Sequence, residues 1–191
     1  MKLQPCQLSA GRAYAPQEAK DEAALAATGK PPKRSQPRAA CRPKPPPATD
    51  AQIRELEKTL CVQLPADFVD CLKIHNGQKG KADWLFEGHE FLSIEKILMD
   101  WVALNRLLKG GDFDGEAAKP DPEVIAEWWS PSWVPFTSNG GGDHFCLDLA
   151  PSSKGTPGQV IKYSGELPSR RLKASSFSKW FELFVKAKVG C

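Results

Sequence analysis

The sequence predicts an α+β fold: a largely antiparallel β-sheet with helices packed around it, preceded by a disordered tail. Three observations predict it. Apolar residues recur at helical spacing in several separate stretches, they alternate with a period of two on either side of a glycine turn at 140–142, and about half of the 17 prolines lie before Thr49. With 191 residues, the chain can bury a sizeable core without disulfide staples.

Residues 1–46 are rich in Ala, Pro, Lys, Arg and Gln, with KPPKRSQPR and CRPKPPP as the stiffest parts. Such a stretch cannot bury enough apolar surface to offset its ordering entropy, so the domain is placed at 47–191. Positions 1–50 carry nine basic and four acidic residues, and positions 51–191 carry 17 and 19. The net charge of +3 is therefore a property of the tail, and the mildly acidic domain is not expected to bind nucleic acid directly. The tail reads either as a basic arm for an acidic partner or as solvated chain.

The six cysteines (Cys6, Cys41, Cys61, Cys71, Cys146 and Cys191) have neither C-x-x-C pairing nor metal-ligand spacing, so free thiols, no metal and no cofactor are expected. The N-terminus lacks the apolar run of a signal peptide, and no window approaches a membrane span. A cytoplasmic location is the expectation.

In chain order, Thr49 to Gln52 forms a capping box ahead of Ile53, Leu56 and Leu60. Pro65 opens a second helix with Phe68, Leu72 and His75 on one face, and Asn76-Gly77 ends it, so the two helices should pack as a hairpin. Glu87-Gly88 marks a tight turn between short apolar runs. Ser93 caps a third helix whose Ile94, Ile97, Leu98, Trp101, Leu104 and Leu108 keep a 3.6 period up to Gly110-Gly111. DFDGEAAKPDPE then reads as an exposed acidic loop. Val134 and Phe136, then Phe145, Leu147 and Leu149, alternate as a hairpin, with Pro135 requiring an edge strand or a nitrogen that faces away from the partner strand. A third strand over 159–163, a fourth around Leu172, and a final helix capped by Ser175 or Ser176 with a Phe177, Trp180, Phe181, Phe184, Val185 stripe complete the order.

The densest run of special residues is WWSPSWVPFTSNGGGDHFCLDL, 128–149. Its Gly140, Gly141 and Gly142 read as a structural turn; a phosphate cradle would need a Gly-Lys-Ser/Thr ending and a helix start. Asp143, His144, Cys146 and Asp148 are a tight set of ligand-type side chains, with His144, Cys146 and Asp148 sharing one strand face. That face could serve acid–base or metal chemistry, but converging ligands from other segments are missing; the plain reading is a polar sheet face with Asp143 bonding the turn amides. Trp128 and Trp129 are adjacent in an irregular segment, so one of them should reach the surface, where aromatic residues anchor partners.

W-W-x-P-x-W-V-P-F, S-N-G-G-G-D-H-x-C-L-D-L-x-P and G-Q-V-I together resemble the SUKH superfamily, in the branch named after the yeast cell-wall assembly regulator (Smi/Knr type). ATDAQIRELEKTLCVQLPADFVDCLKIHNGQ upstream and SSFSKWFELF downstream extend the resemblance over 48–187. It implies the same fold, no enzyme activity and a protein partner. Bacterial members are read as immunity proteins that neutralise toxin domains, often nucleases, and fungal members as signalling and cell-wall scaffolds. It also implies a groove lined by Trp128, Trp129, Trp133, Asn139, Asp143, His144 and Asp148. The leading expectation is an immunity protein that neutralises a polymorphic or contact-dependent toxin, its acidic Asp112, Asp114, Glu116, Asp121 and Glu123 steering a basic partner. The alternative is a scaffold in cell-wall assembly or signalling, and the third is a small hydrolase using Asp143 and His144.

Overall fold

The structure, a computed structural model, describes residues 45–78 and 86–189, which belong to one unit, Pro43–Cys191. The tail expected over 1–46 lies almost wholly outside the described residues. Among the described residues, four helices and seven strands follow in the order α1 (Asp50–Leu60), α2 (Ala66–Ile74), β1 (Glu90–Phe91), α3 (Ile94–Gly110), β2 (Lys119–Pro120), β3 (Trp133–Pro135), β4 (Thr137–Ser138), β5 (His144–Asp148), β6 (Gln159–Tyr163), β7 (Ser169–Ala174) and α4 (Phe177–Val189). The α+β fold predicted from the sequence is the fold observed.

The helix starts are the predicted ones. Thr49 and Gln52 form the reciprocal capping box, and the Ser93 hydroxyl accepts from the Lys96 amide. Ser176, rather than Ser175, caps α4 by accepting from the Lys179 amide at 3.1 Å. A second orphan amide of α4, Ser178 N–H, donates to Asp67 in the first turn of α2 at 2.8 Å, which ties the two helices together.

The opening helices do not form the expected hairpin: α1 packs mainly on α3, and α2 on α4. Their connection turns at Cys61 in a left-handed conformation, φ 55°, and Glu57 accepts from the Leu64 amide at 2.9 Å, which points α2 away. α2 also ends one residue before His75, which is extended. Gly77 then serves a close approach, since a Cβ there would lie 2.4 Å from the Ser93 nitrogen.

The five-stranded sheet runs β2-β7-β6-β5-β3, antiparallel except where β2 lies parallel to β7, and β1 pairs with β4 in a separate antiparallel pair. The acidic stretch expected to be wholly loop thus contains an edge strand, held because Asp121 accepts from the Leu172 amide and from Arg171. Between β3 and β4 the chain bends at Phe136 and passes from one sheet to the other: the Phe136 amide donates to Phe145, while its carbonyl accepts from Leu92.

Both faces of β5 are buried, so the polar sheet face expected there is an inward one, covered like the other. One face presents Val134, Phe145, Leu147 and Val160 to an aromatic cluster in which Phe136 lies 5.7 Å from Phe68 of α2 and 5.0 Å from Trp180 of α4. The other face carries Trp133, His144, Cys146, Asp148 and Tyr163. Trp129 closes over it, its ring 5.8 Å from Trp133 and 5.2 Å from Tyr163. Cys71 and Cys146 are free thiols, whereas Cys61 is disulfide-bonded, which corrects the expectation of free thiols throughout; spacing along a chain does not say which sulfurs the fold brings together.

Candidate functional site

The 139–143 turn is closed by its own first residue. The Asn139 side-chain oxygen accepts from the Gly141 amide at 2.8 Å and the Asp143 amide at 3.0 Å, and the Ser138 hydroxyl accepts from Gly140. Gly140 and Gly142 supply the positive φ that this ring needs. Asn139, not Asp143, therefore gathers the turn amides: the shorter reach back from position 139 wins, and Asp143 contributes its own N–H. Those amides are spent, so the turn offers no anion cradle.

His144 is buried, 5% exposed, and its Nδ1 lies 2.8 Å from the Thr137 carbonyl, so Nδ1 carries the proton. Its nearest recorded acid contact is Asp100 of α3, at 3.8 Å. Burial pushes the imidazole below its ordinary 6.5, with the Thr137 bond and the Asp100 charge acting the other way, and burial raises Asp100 in turn. Next to it the Thr137 hydroxyl accepts from the Phe145 amide at 2.9 Å, replacing a ladder carbonyl where the chain bends. That hydroxyl also hydrogen-bonds Nδ1 of buried His89 at 3.2 Å. Thr137 thus joins the 86–89 turn, β4 and β5 through two histidines.

Asp148 is fully buried. Burial raises its carboxyl above the ordinary range, opposed by the Gln159 side-chain amide, which donates at 2.9 Å, and the Ala150 amide, which donates at 3.2 Å. Gln159 also donates to the Glu123 carbonyl at 3.0 Å, so Asp148 anchors the 122–124 segment to the sheet through it. Trp129 and Trp133 are 1% and 0% exposed; the Trp129 indole N–H finds no hydrogen-bond partner among the described residues, while the Trp133 indole lies beside Asp148 and helps hold its carboxyl down. Of the predicted groove, only Trp128, Asn139 and Asp143 are partly exposed.

Trp128 is held by a residue that sequence reasoning missed. Arg170 is fully buried, its guanidinium 4.8 Å from the Trp128 ring and 4.5 Å from that of Tyr163. It donates to the carbonyls of Trp128 (3.0 and 2.6 Å), Leu167 (2.7 Å) and Ser169 (3.0 Å), and makes no carboxylate ion pair among the described residues. The signal was the period of β7, which places Arg170 on the inward face with Leu172 and Ala174. Asp100 and Gln159 carried no such signal, since each acquires its role only when distant segments meet.

Asp112, Asp114 and Glu116 are exposed, while Asp121 and Glu123 are half-buried. The proposed steering surface is thereby reduced to the first three. Among the described residues no three His, Cys, Asp or Glu side chains come together as a metal site, and burial pushes the Cys146 thiol well up, away from thiolate chemistry.

Comparison with known proteins gives this arrangement a family. The SMI1 / KNR4 family (SUKH-1) profile matches residues 47–183. The chain belongs to that family. Its relatives include a KNR4/SMI1 homolog of Yarrowia lipolytica, 25% identical over 72% of this chain and 26% of the relative. The "Cell wall biosynthesis/cell cycle regulator smi1" of Schizosaccharomyces pombe is 27% identical, covering 71% and 30%. A "Glucan synthesis regulatory protein" of Neurospora crassa is 22% identical, covering 70% and 32%. The chain spans about a quarter to a third of the length of these SMI1 / KNR4 relatives. Their names favour the regulatory expectation over toxin neutralisation, which nothing in these comparisons supports.

Proposed function

We propose that the chain is a non-enzymatic, protein-binding domain that regulates cell-wall or glucan assembly from the cytoplasm. The observation that carries it is how the polar cluster is spent. His144, Asp148, Thr137, Gln159 and Arg170 are buried and bonded to one another or to backbone amides and carbonyls, so they build a rigid platform rather than an accessible catalytic surface. Large apolar side chains stand outside instead, among them Met99 and Val102 on α3 and Phe181 and Leu183 on α4. The names of the wall-regulating relatives supply the theme. A small hydrolase fits less well, since the His144 imidazole, the base it would use, is buried and only 5% exposed.

The test is deletion of the gene in its own organism, with wall glucan and resistance to a wall-digesting glucanase as readouts. Altered glucan, restored by the native gene and equally by Asp143→Asn, supports a binding regulator. An unchanged wall refutes the reading, and failure of Asp143→Asn to restore an altered wall, with the protein folded, would favour chemistry at that residue.

A further inference from the structure

The predicted α4 stripe is only half used. Phe177 and Trp180 are buried, but Phe181, Leu183, Val185 and Val189 are 40% exposed or more. Beside this face, α4, β7 and the 86–89 turn enclose an open groove of about 490 Å³. That volume is within the range of ligand pockets. Its floor is aromatic: Phe86 lies 4.6 Å from Phe184 and 5.0 Å from Trp180. Its wall includes Leu172 and Leu183.

The rim is basic. Lys173 and Lys188 line it, and Lys162 stands with Lys173 over the Phe145 ring, each 5.9 Å from its centroid. None of these three lysines makes an ion pair among the described residues, whereas Glu87 is the lone acid in the lining. An apolar floor with uncompensated positive charge around it selects an apolar ligand that carries negative charge.

We infer that this groove docks an acidic amphipathic segment of another protein, inserting large apolar side chains over Phe86, Trp180 and Phe184 while flanking Asp or Glu residues meet Lys162, Lys173 and Lys188. The chain's own first 50 residues, with nine basic and four acidic side chains, carry the wrong sign for the rim. An anionic membrane has the right sign, but the concave floor suits inserted side chains better than a flat surface. The inference rests on the regulatory reading only in that it supplies that reading with a partner surface.

Full-length protein is panned against a random-peptide phage library, and enriched peptides are measured against wild type, Leu183→Asp, the pair Lys173→Glu/Lys188→Glu, and Asp112→Asn as a distant control. Leu183, Lys173, Lys188 and Asp112 are all exposed, so each variant should fold, as a thermal melt verifies. The expected peptides combine large apolar residues with Asp or Glu, and both groove variants weaken them about tenfold while the control does not. The inference is overturned if no peptide is enriched, if enriched peptides lack acidic residues, or if the groove variants bind as wild type. Groove-dependent binding to phosphatidylserine vesicles with no peptide binding overturns it in favour of a membrane. The same variants enter the wall assay: lost peptide binding with a normal wall leaves the groove standing and detaches it from wall regulation.

Discussion

Arg170 offers the sharpest test of how this domain is held together. Replacing it with Ala removes four hydrogen bonds and leaves the carbonyls of Trp128, Leu167 and Ser169 without their charged donor. A fully buried acceptor left unpaired costs about 1–3 kcal/mol, and these three are only part-buried, so each counts at the lower end. The stacking on Trp128 and Tyr163 adds about 1–2 kcal/mol when desolvated. Against this, the variant no longer buries a charge, and burial already holds the guanidinium below its ordinary pKa, so several kcal/mol of penalty are recovered. The balance is a loss of about 3 kcal/mol, or roughly 6–12 °C in Tm for a domain of this size. Arg170→Lys should fall between, because one ammonium cannot bridge three carbonyls in a fixed fork. Urea unfolding followed by fluorescence measures the change in midpoint at constant slope. A loss below about 1 kcal/mol for Arg170→Ala would refute the reasoning, since water or backbone movement would then be satisfying those carbonyls.

Four further outcomes are expected. Thr137→Val should cost about 2 kcal/mol in the same assay, because it strands the Phe145 amide and removes the hydrogen bond to His89. Gly77→Ala should cost about 3 kcal/mol or prevent folding, given φ of +79° and a Cβ 2.4 Å from a backbone nitrogen; a Tm within a few degrees of wild type would contradict it. Both His89 and His144 have folded pKa values pushed below 6.5 by burial, so the unfolded chain binds more protons there. Stability is then full above 6.5 and falls as pH drops through 6.5 towards the folded values, and His144→Gln should flatten that part of a Tm-against-pH curve. Neutralising Asp112, Asp114 and Glu116 together should change stability by no more than about 0.5 kcal/mol, since all three side chains are exposed.

What could be read from the sequence follows how local each interaction is. The caps at Thr49 and Ser93, the stop at Gly111 and the turn at Glu87-Gly88 are decided within a few residues, and all were legible. So was the edge position of Pro135, because a missing N–H constrains a strand whatever surrounds it. The packing of α1 on α3 was not legible, since a short connection suggests adjacency and only the left-handed Cys61 and the Glu57–Leu64 bond redirect the chain. Nor was the inner face of β5: alternation separates His144, Cys146 and Asp148 from Phe145 and Leu147, but it cannot say that Trp129 will cover the polar side as α4 covers the apolar one. Of the residues singled out as a groove, Trp129, Trp133, His144 and Asp148 are buried, so their chemistry is directed inward.

This inward use constrains where a partner can bind. Strand addition is one general route to recognition, and it needs an open edge with donors facing outward. At one edge of the large sheet, β2 directs the flanking Lys119 and Asp121 amides to Pro168 and Arg170, and the intervening position is Pro120, with no N–H. At the other, the Trp133 amide turns back to the Ser130 carbonyl at 3.0 Å and Pro135 has no N–H. Both edges are therefore poor templates for another strand, and both faces are covered. Among the described residues, the outer surfaces of α3 and α4 and the groove beside α4 keep large apolar side chains exposed. A β-branched residue placed at Pro120 or Pro135 should leave partner binding intact, whereas Leu183→Asp on α4 should weaken it about tenfold while stability in urea stays within about 0.5 kcal/mol of wild type.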